Sequence, residues 1–155
     1  MTKRAAKDYR VEGQVEAPSA LVWDVMTDFG SMPEWTASVA EIRVLGGAEP
    51  VGAGTRVRIH QPRLAPATWV IDQWRPEERF SWTSRFAGVR TTGTHIVTPV
   101  SEHTCSVVLM IAHRGPLASP VGRLTATLTR RYMGMELAGL KQRAEGRARE
   151  GNRSA

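Results

Sequence analysis

Gly115-Pro116 divides this chain into two hydrophobic regimes. Upstream of it, short runs alternate apolar and polar residues, the period of half-buried strands. Downstream, from Ser119 to about Arg149, the apolar spacing is helical, with Ser119 placed to act as N-cap and Pro120 to occupy the first helical position. Val121, Leu124, Leu128, Tyr132 and Met135 form one stripe of that helix, and Met133, Leu137 and Leu140 form a second, nearly opposite. Two stripes require a helix that buries more than one side or changes face along its length. Packing on a sheet and on other helices satisfies this; a homodimer contact through the C-terminal helix is the alternative.

The upstream regime resolves into about seven strands. Residues 9–16, YRVEGQVE, place Val11, Gly13 and Val15 on one face. Ala17-Pro18-Ser19 then breaks the strand, and residues 20–29 carry Leu21, Val22, Val25, Met26 and Phe29 at helical spacing, with a second short turn through residues 32–35. Strands follow at 38–45, 55–61, 67–74, 80–86, 89–97 and 103–113, separated by Gly- and Pro-rich connections. Hairpin-length spacing makes the sheet antiparallel. The order is one strand, two short helices, six strands and one long helix. A curved sheet gripping that helix leaves space between the two, and such spaces become ligand sites.

Charge narrows the class of partner. The sequence pI is about 10.4 and the net charge +6, but residues 1–10 and 141–155 each contribute +3, and residues 11–140 sum to zero. Basic ends around a neutral body do not make the structured cationic face that nucleic-acid binding needs. Residues 1–8 and 147–155 are expected to be flexible termini flanking one domain over 9–146. Cys105 is the only cysteine, so no intramolecular disulfide can form. There is no apolar stretch of signal-peptide or membrane-spanning type. The expectation is a cytoplasmic protein.

The segment FSWTSRFAGVRTTGTHIV, residues 80–97, is the most informative hairpin. A two-residue turn at Ala87-Gly88 pairs Phe86 with Val89, Ser84 with Thr91, Trp82 with Gly93 and Phe80 with His95. The opposite face, with Ser81, Thr83, Arg85, Arg90, Thr92 and Thr94, is polar and belongs in water. His95 therefore points inward, beside Phe80 and close to Trp82. An imidazole there can contact a ligand, be satisfied structurally, or act as a general base.

No partner for His95 is legible in the chain. His60 shares a strand face with Arg56 and Arg58, His103 lies in a turn, and His113 sits near the end of its strand on the inner face. No metal-ligand spacing, GxSxG motif or phosphate loop occurs, so neither metal nor cofactor is expected. Cys105 fits a small buried hydrophobe. Trp35, Trp69 and Trp82, with Val57, Ile59, Ile71, Phe80, Leu109, Tyr132 and Met135, are the candidate cavity lining. Trp23 and Trp74 are assigned to structure, because the side of the element they occupy is ambiguous.

Several local motifs resemble one superfamily. VEAPSALVWDVMTDF, SMPEWTASV, VGAGTRVRI, RFSWTSRFAGVRTTGTHIVTP, RGPLASPVGRL and LAGLKQRAE are similar to the START-like, or Bet v 1-like (SRPBCC), helix-grip proteins, in the polyketide cyclase/dehydrase branch. The resemblance spans residues 9–146. It implies an α+β helix-grip fold, a curved seven-stranded antiparallel sheet around the C-terminal helix, and a hydrophobic small-molecule cavity between them. Three functions are then open: binding a hydrophobic, aromatic or polyketide-like molecule; polyketide cyclisation or dehydration with His95 as base; and a non-enzymatic module in which the second helical stripe docks a partner.

Overall fold

A computed structural model describes residues 6–47 and 50–154. The elements are β1 (Ala6–Val15), α1 (Ser19–Thr27), α2 (Met32–Trp35), β2 (Glu41–Val44), β3 (Arg56–His60), β4 (Ala67–Arg75), β5 (Arg79–Phe86), β6 (Val89–Ser101), β7 (Thr104–Arg114) and α3 (Ala118–Arg153). The seven strands form one antiparallel sheet in the order β1-β7-β6-β5-β4-β3-β2. This is the helix-grip α+β architecture expected from the change of period at Gly115. Residues 48 and 49, inside the expected Gly-rich connection, lie outside the described residues.

The β5–β6 register is the expected one throughout, from Arg79↔Ile96 to Phe86↔Val89. The turn works because Ala87 and Gly88 both take positive φ, 47° and 76°, as a two-residue hairpin turn requires. Gly93 faces Trp82 so closely that an added Cβ would lie 2.8 Å from the indole Nε1. The outer face is less wet than expected. Asp72, next to the inward Ile71, faces outward, where Ser81 and Thr83 donate to its carboxylate at 2.5 Å each, and Ser81 is buried; the register shift between Ile71 and Gln73 then brings Trp74 opposite Phe80.

Several boundaries differ from the sequence reading: β2 is shorter (Glu41–Val44, against 38–45) and β6 longer (Val89–Ser101, against 89–97). β1 begins at Ala6, paired with Arg114, and α3 continues to Arg153. Leu117, not Ser119, holds the N-cap position, without a side-chain cap. Ser119 and Pro120 thus sit inside the first turn, where Pro120 costs no hydrogen bond because that turn's N–H groups have no helical partner.

The second stripe of α3 packs against the sheet and the short helices, while the first is buried at Tyr132 and partly buried at Val121, Leu128 and Met135. Met133, Leu140 and Ala144 are buried, and Leu137 lies against Gly13 of β1, whose Cβ would fall 3.2 Å from Leu137 Cδ2. That stripe is therefore occupied by the sheet and the short helices. Leu124, in the first stripe, is 87% exposed. Gly139 marks the tightest approach of α3 to α2, since a Cβ there would fall 1.9 Å from the Trp35 carbonyl oxygen.

Gly139→Ala should destabilise the fold by about 2–3 kcal/mol, because backbone cannot give way as a side-chain tip can. Gly134→Ala, with nothing within 4 Å of the new methyl, should instead stabilise α3 by about 0.5–1 kcal/mol. Urea unfolding of the two variants beside the parent checks both signs.

Candidate functional site

The inner face of β5 and β6 carries the site. His95 is buried, with its ring stacked on Phe80 at 4.3 Å between centroids and 9° between planes, and with Trp82 edge-on at 5.2 Å. The stacking follows from register, because Phe80 and His95 are direct cross-strand partners. Leu109 flanks His95 from β7, Ile71 flanks Trp82 from β4, and Val57 pairs with Trp69. Trp69 reaches Trp82 at 6.0 Å. Ile59 is buried two residues along β3 on the same face as Val57.

A group that sequence reasoning missed completes the constellation. Glu136 of α3 places Oε1 2.9 Å from His95 Nε2, with the carboxylate side chain only 19% exposed. A carboxylate accepts and cannot donate, so Nε2 carries the proton. His95 Nδ1 is then the open position: it is buried and has no hydrogen-bond partner. No local motif could have announced this pair, because 41 residues separate its members and only the packing of α3 joins them. A helical glutamate one turn after Tyr132, on the side that carries Met133 and Leu140, was the available signal.

Other expected residues divide. Tyr132 is buried, but its hydroxyl donates to the Pro62 carbonyl and ties α3 to the β3–β4 loop. Met135 is half-buried beside Glu136. Trp35 stands apart from the His95 cluster, at the α2–α3 contact, where it lines a groove of about 500 Å³ with Glu34, Arg143 and Arg147. Phe29, read from sequence as an apolar helix position and not as cavity lining, packs on Phe80 and Trp82 at 5.5 and 5.3 Å. Trp23 and Trp74, assigned to structure, extend the same aromatic cluster by contacts with Phe80 at 6.0 and 5.7 Å.

His113 forms a second buried polar point further along the inner face. Its Nδ1 lies 2.8 Å from Thr91 Oγ1, its ring meets Tyr9 edge-on at 6.0 Å, and its Nε2 is buried without a partner. The Tyr9 hydroxyl donates to the Gly122 carbonyl of α3 at 2.6 Å. Burial pushes the His113 imidazole below its ordinary 6.5, against a smaller opposing pull from Asp8. Burial likewise pushes the Cys105 thiol up to about 11, which keeps it a protonated core residue. Among the described residues no three His, Cys, Asp or Glu side chains stand together as a metal site.

The sheet, the gripping helix and the inward aromatic-histidine cluster define a helix-grip protein of the START-like, Bet v 1-like class. The family model "Polyketide cyclase / dehydrase and lipid transport" matches residues 8–145, and the chain belongs to that family. No curated protein matches it in sequence. Solved structures with the same fold include the Zhui aromatase/cyclase from Streptomyces sp. R1128 (TM-score 0.75, 17% identity, covering 92% of this chain and 96% of that one). Norcoclaurine synthase from Thalictrum flavum, in complex with dopamine and hydroxybenzaldehyde, has TM-score 0.69 and 14% identity over 90% of this chain and 86% of that one. A START superfamily protein from Mycobacterium smegmatis has TM-score 0.67 and 12% identity over 88% and 97%.

The unfolded chain protonates His113 near 6.5, whereas the folded chain holds it neutral to lower pH. Its contribution to stability is therefore complete above 6.5 and is lost as the pH falls through the folded value. The urea midpoint of the parent should drop between pH 7 and pH 5. His113→Gln should flatten that drop; an unchanged slope would remove His113 as its source.

Proposed function

We propose that this protein binds an apolar, oxygen-bearing small molecule of polyketide-like character between the sheet and α3, with His95 as the polar contact. The observation that carries the reading is the buried, unpartnered Nδ1 of His95, set between the faces and edges of Phe80 and Trp82. A buried acceptor without a partner is unfavourable, and a ligand hydroxyl donating to it offsets that cost. Large aromatics with one fixed polar group suit a flat, mostly apolar ligand. Family membership points the same way, as does the likeness to an aromatase/cyclase.

One observation favours a second reading, catalysis. With Glu136 on Nε2–H, the imidazole is held in one tautomer and orientation, and its cation would be stabilised by the carboxylate. A base so placed can take a proton from a carbon between two carbonyls. The resulting enolate attacks a second carbonyl of the same chain, the proton returns to the new alkoxide, and loss of water follows. Glu136 would act as the positioning residue and His95 as the base.

Native mass spectrometry of the protein from its own host tests binding. An apolar oxygenated compound should co-purify, and His95→Ala should weaken its affinity roughly tenfold, the worth of one buried hydrogen bond. Affinity unchanged by His95→Ala would overturn the assignment of His95. For catalysis, Glu136→Gln should lower turnover of a poly-β-ketone by about 100-fold with affinity within a few-fold, and turnover surviving His95→Ala would exclude the histidine as base.

A further inference from the structure

Strand direction gathers three connections at one end of the molecule. β3, β5 and β7 run the same way, each two antiparallel steps from the next, so residues 61–66, 87–88 and 115–117 lie at the same edge of the sheet, with the start of α3. The β5–β6 turn and the β7–α3 connection touch: a Cβ on Gly88 would meet Pro116 and Leu117 at 3.6–3.7 Å. The β3–β4 loop is tied to α3 by the Tyr132 hydroxyl on the Pro62 carbonyl.

Six large hydrophobic side chains are exposed among the described residues, and four are at this end: Leu64, Phe86, Leu117 and Leu124. Phe86 is 80% exposed and Leu124 87%, so both stand clear of the core. Around them the charge has one sign. Residues 61–66, 85–90 and 115–131 contain Arg63, Arg85, Arg90, Arg123, Arg130 and Arg131, and no Asp or Glu. All six arginines are exposed. The carboxylates nearest this end are already engaged: Asp8 by Arg114 at 2.5 Å, Glu41 by Arg43 at 2.9 Å, and Asp72, which lines a groove with Arg85 and Arg90, by the Ser81 and Thr83 hydroxyls. Other acids of the connections, Glu16, Glu77, Glu78 and Glu102, lie at the opposite edge.

We propose that this end docks on an anionic lipid surface, with Phe86, Leu117 and Leu124 inserted at the headgroup level and the arginines on lipid phosphates. Apolar tips alone would fit a protein partner or a second copy. Six exposed arginines against three engaged carboxylates complement a surface of negative headgroups, and long arginine stems let the charge stay at that level while the tips bury. The docking does not depend on what the interior binds. No helix among the described residues is long and apolar enough to cross a membrane, so the contact is peripheral.

Sedimentation of the full chain with phosphatidylcholine vesicles, with and without phosphatidylserine, tests this. Binding should require phosphatidylserine and weaken with added salt. Arg85→Gln and Arg123→Gln should each weaken it roughly fivefold, and Phe86→Ser with Leu124→Ser should abolish it. Val100→Ser, an exposed hydrophobic at the opposite edge, should leave it unchanged. Absence of binding, equal binding to neutral vesicles, or equal loss with Val100→Ser would overturn the proposal. A dimer that Leu124→Ser dissociates, in a protein that ignores vesicles, would also overturn it and make a second copy the occupant.

Discussion

The site depends on a two-residue turn. Side chains alternate along a strand, so a slip of one residue between β5 and β6 would send His95 to the solvent face and bring Thr94 inside. Ala87 and Gly88 prevent the slip by adopting the positive φ values that a tight hairpin needs. Gly93 locks the same register from the middle of the strand, because only a residue without a Cβ fits against Trp82. The proposed site follows from that alignment: the stack of Phe80 on His95, the edge contact of Trp82, and the approach of Glu136 from α3.

Much of this was legible before the structure. Turn chemistry and alternation are local, so the hairpin register, the inward direction of His95 and His113 and the exposure of His60 could be derived from neighbouring residues. What was not legible depends on packing between distant segments. Glu136 lies among ordinary helical residues, and nothing in its own stretch distinguishes it from Glu145, which pairs with Lys141, or from the exposed Glu150. Trp35 has the composition of a cavity residue, yet the close α2–α3 contact at Gly139 sets it apart from the His95 cluster. The β4 irregularity that brings Trp74 opposite Phe80 left no mark in the alternation of ATWVIDQW.

The charge distribution shows a similar limit. Residues 11–140 balance to zero along the chain, yet segments 61–66, 85–90 and 115–131 carry six arginines and no acid, while Glu16, Glu77, Glu78 and Glu102 sit in the turns of the opposite edge beside Arg75 and Arg79. Neutrality in sequence is thus compatible with an uneven charge in space. The interior is organised in the same lengthwise way, with His95 and His113 four register positions apart along β6 and β7. At about 3.3 Å per residue, roughly 13 Å separates these two buried polar points.

The central claim is that His95 presents an open Nδ1 to a ligand while Glu136 holds Nε2–H. Nitrogen-15 NMR of the imidazole rings measures both atoms directly. The account predicts, in the free protein, a protonated Nε2 whose resonance moves in Glu136→Gln, and an Nδ1 resonance that shifts when the co-purifying compound is added back. Saturation with that compound leaving both His95 nitrogens unmoved would contradict it.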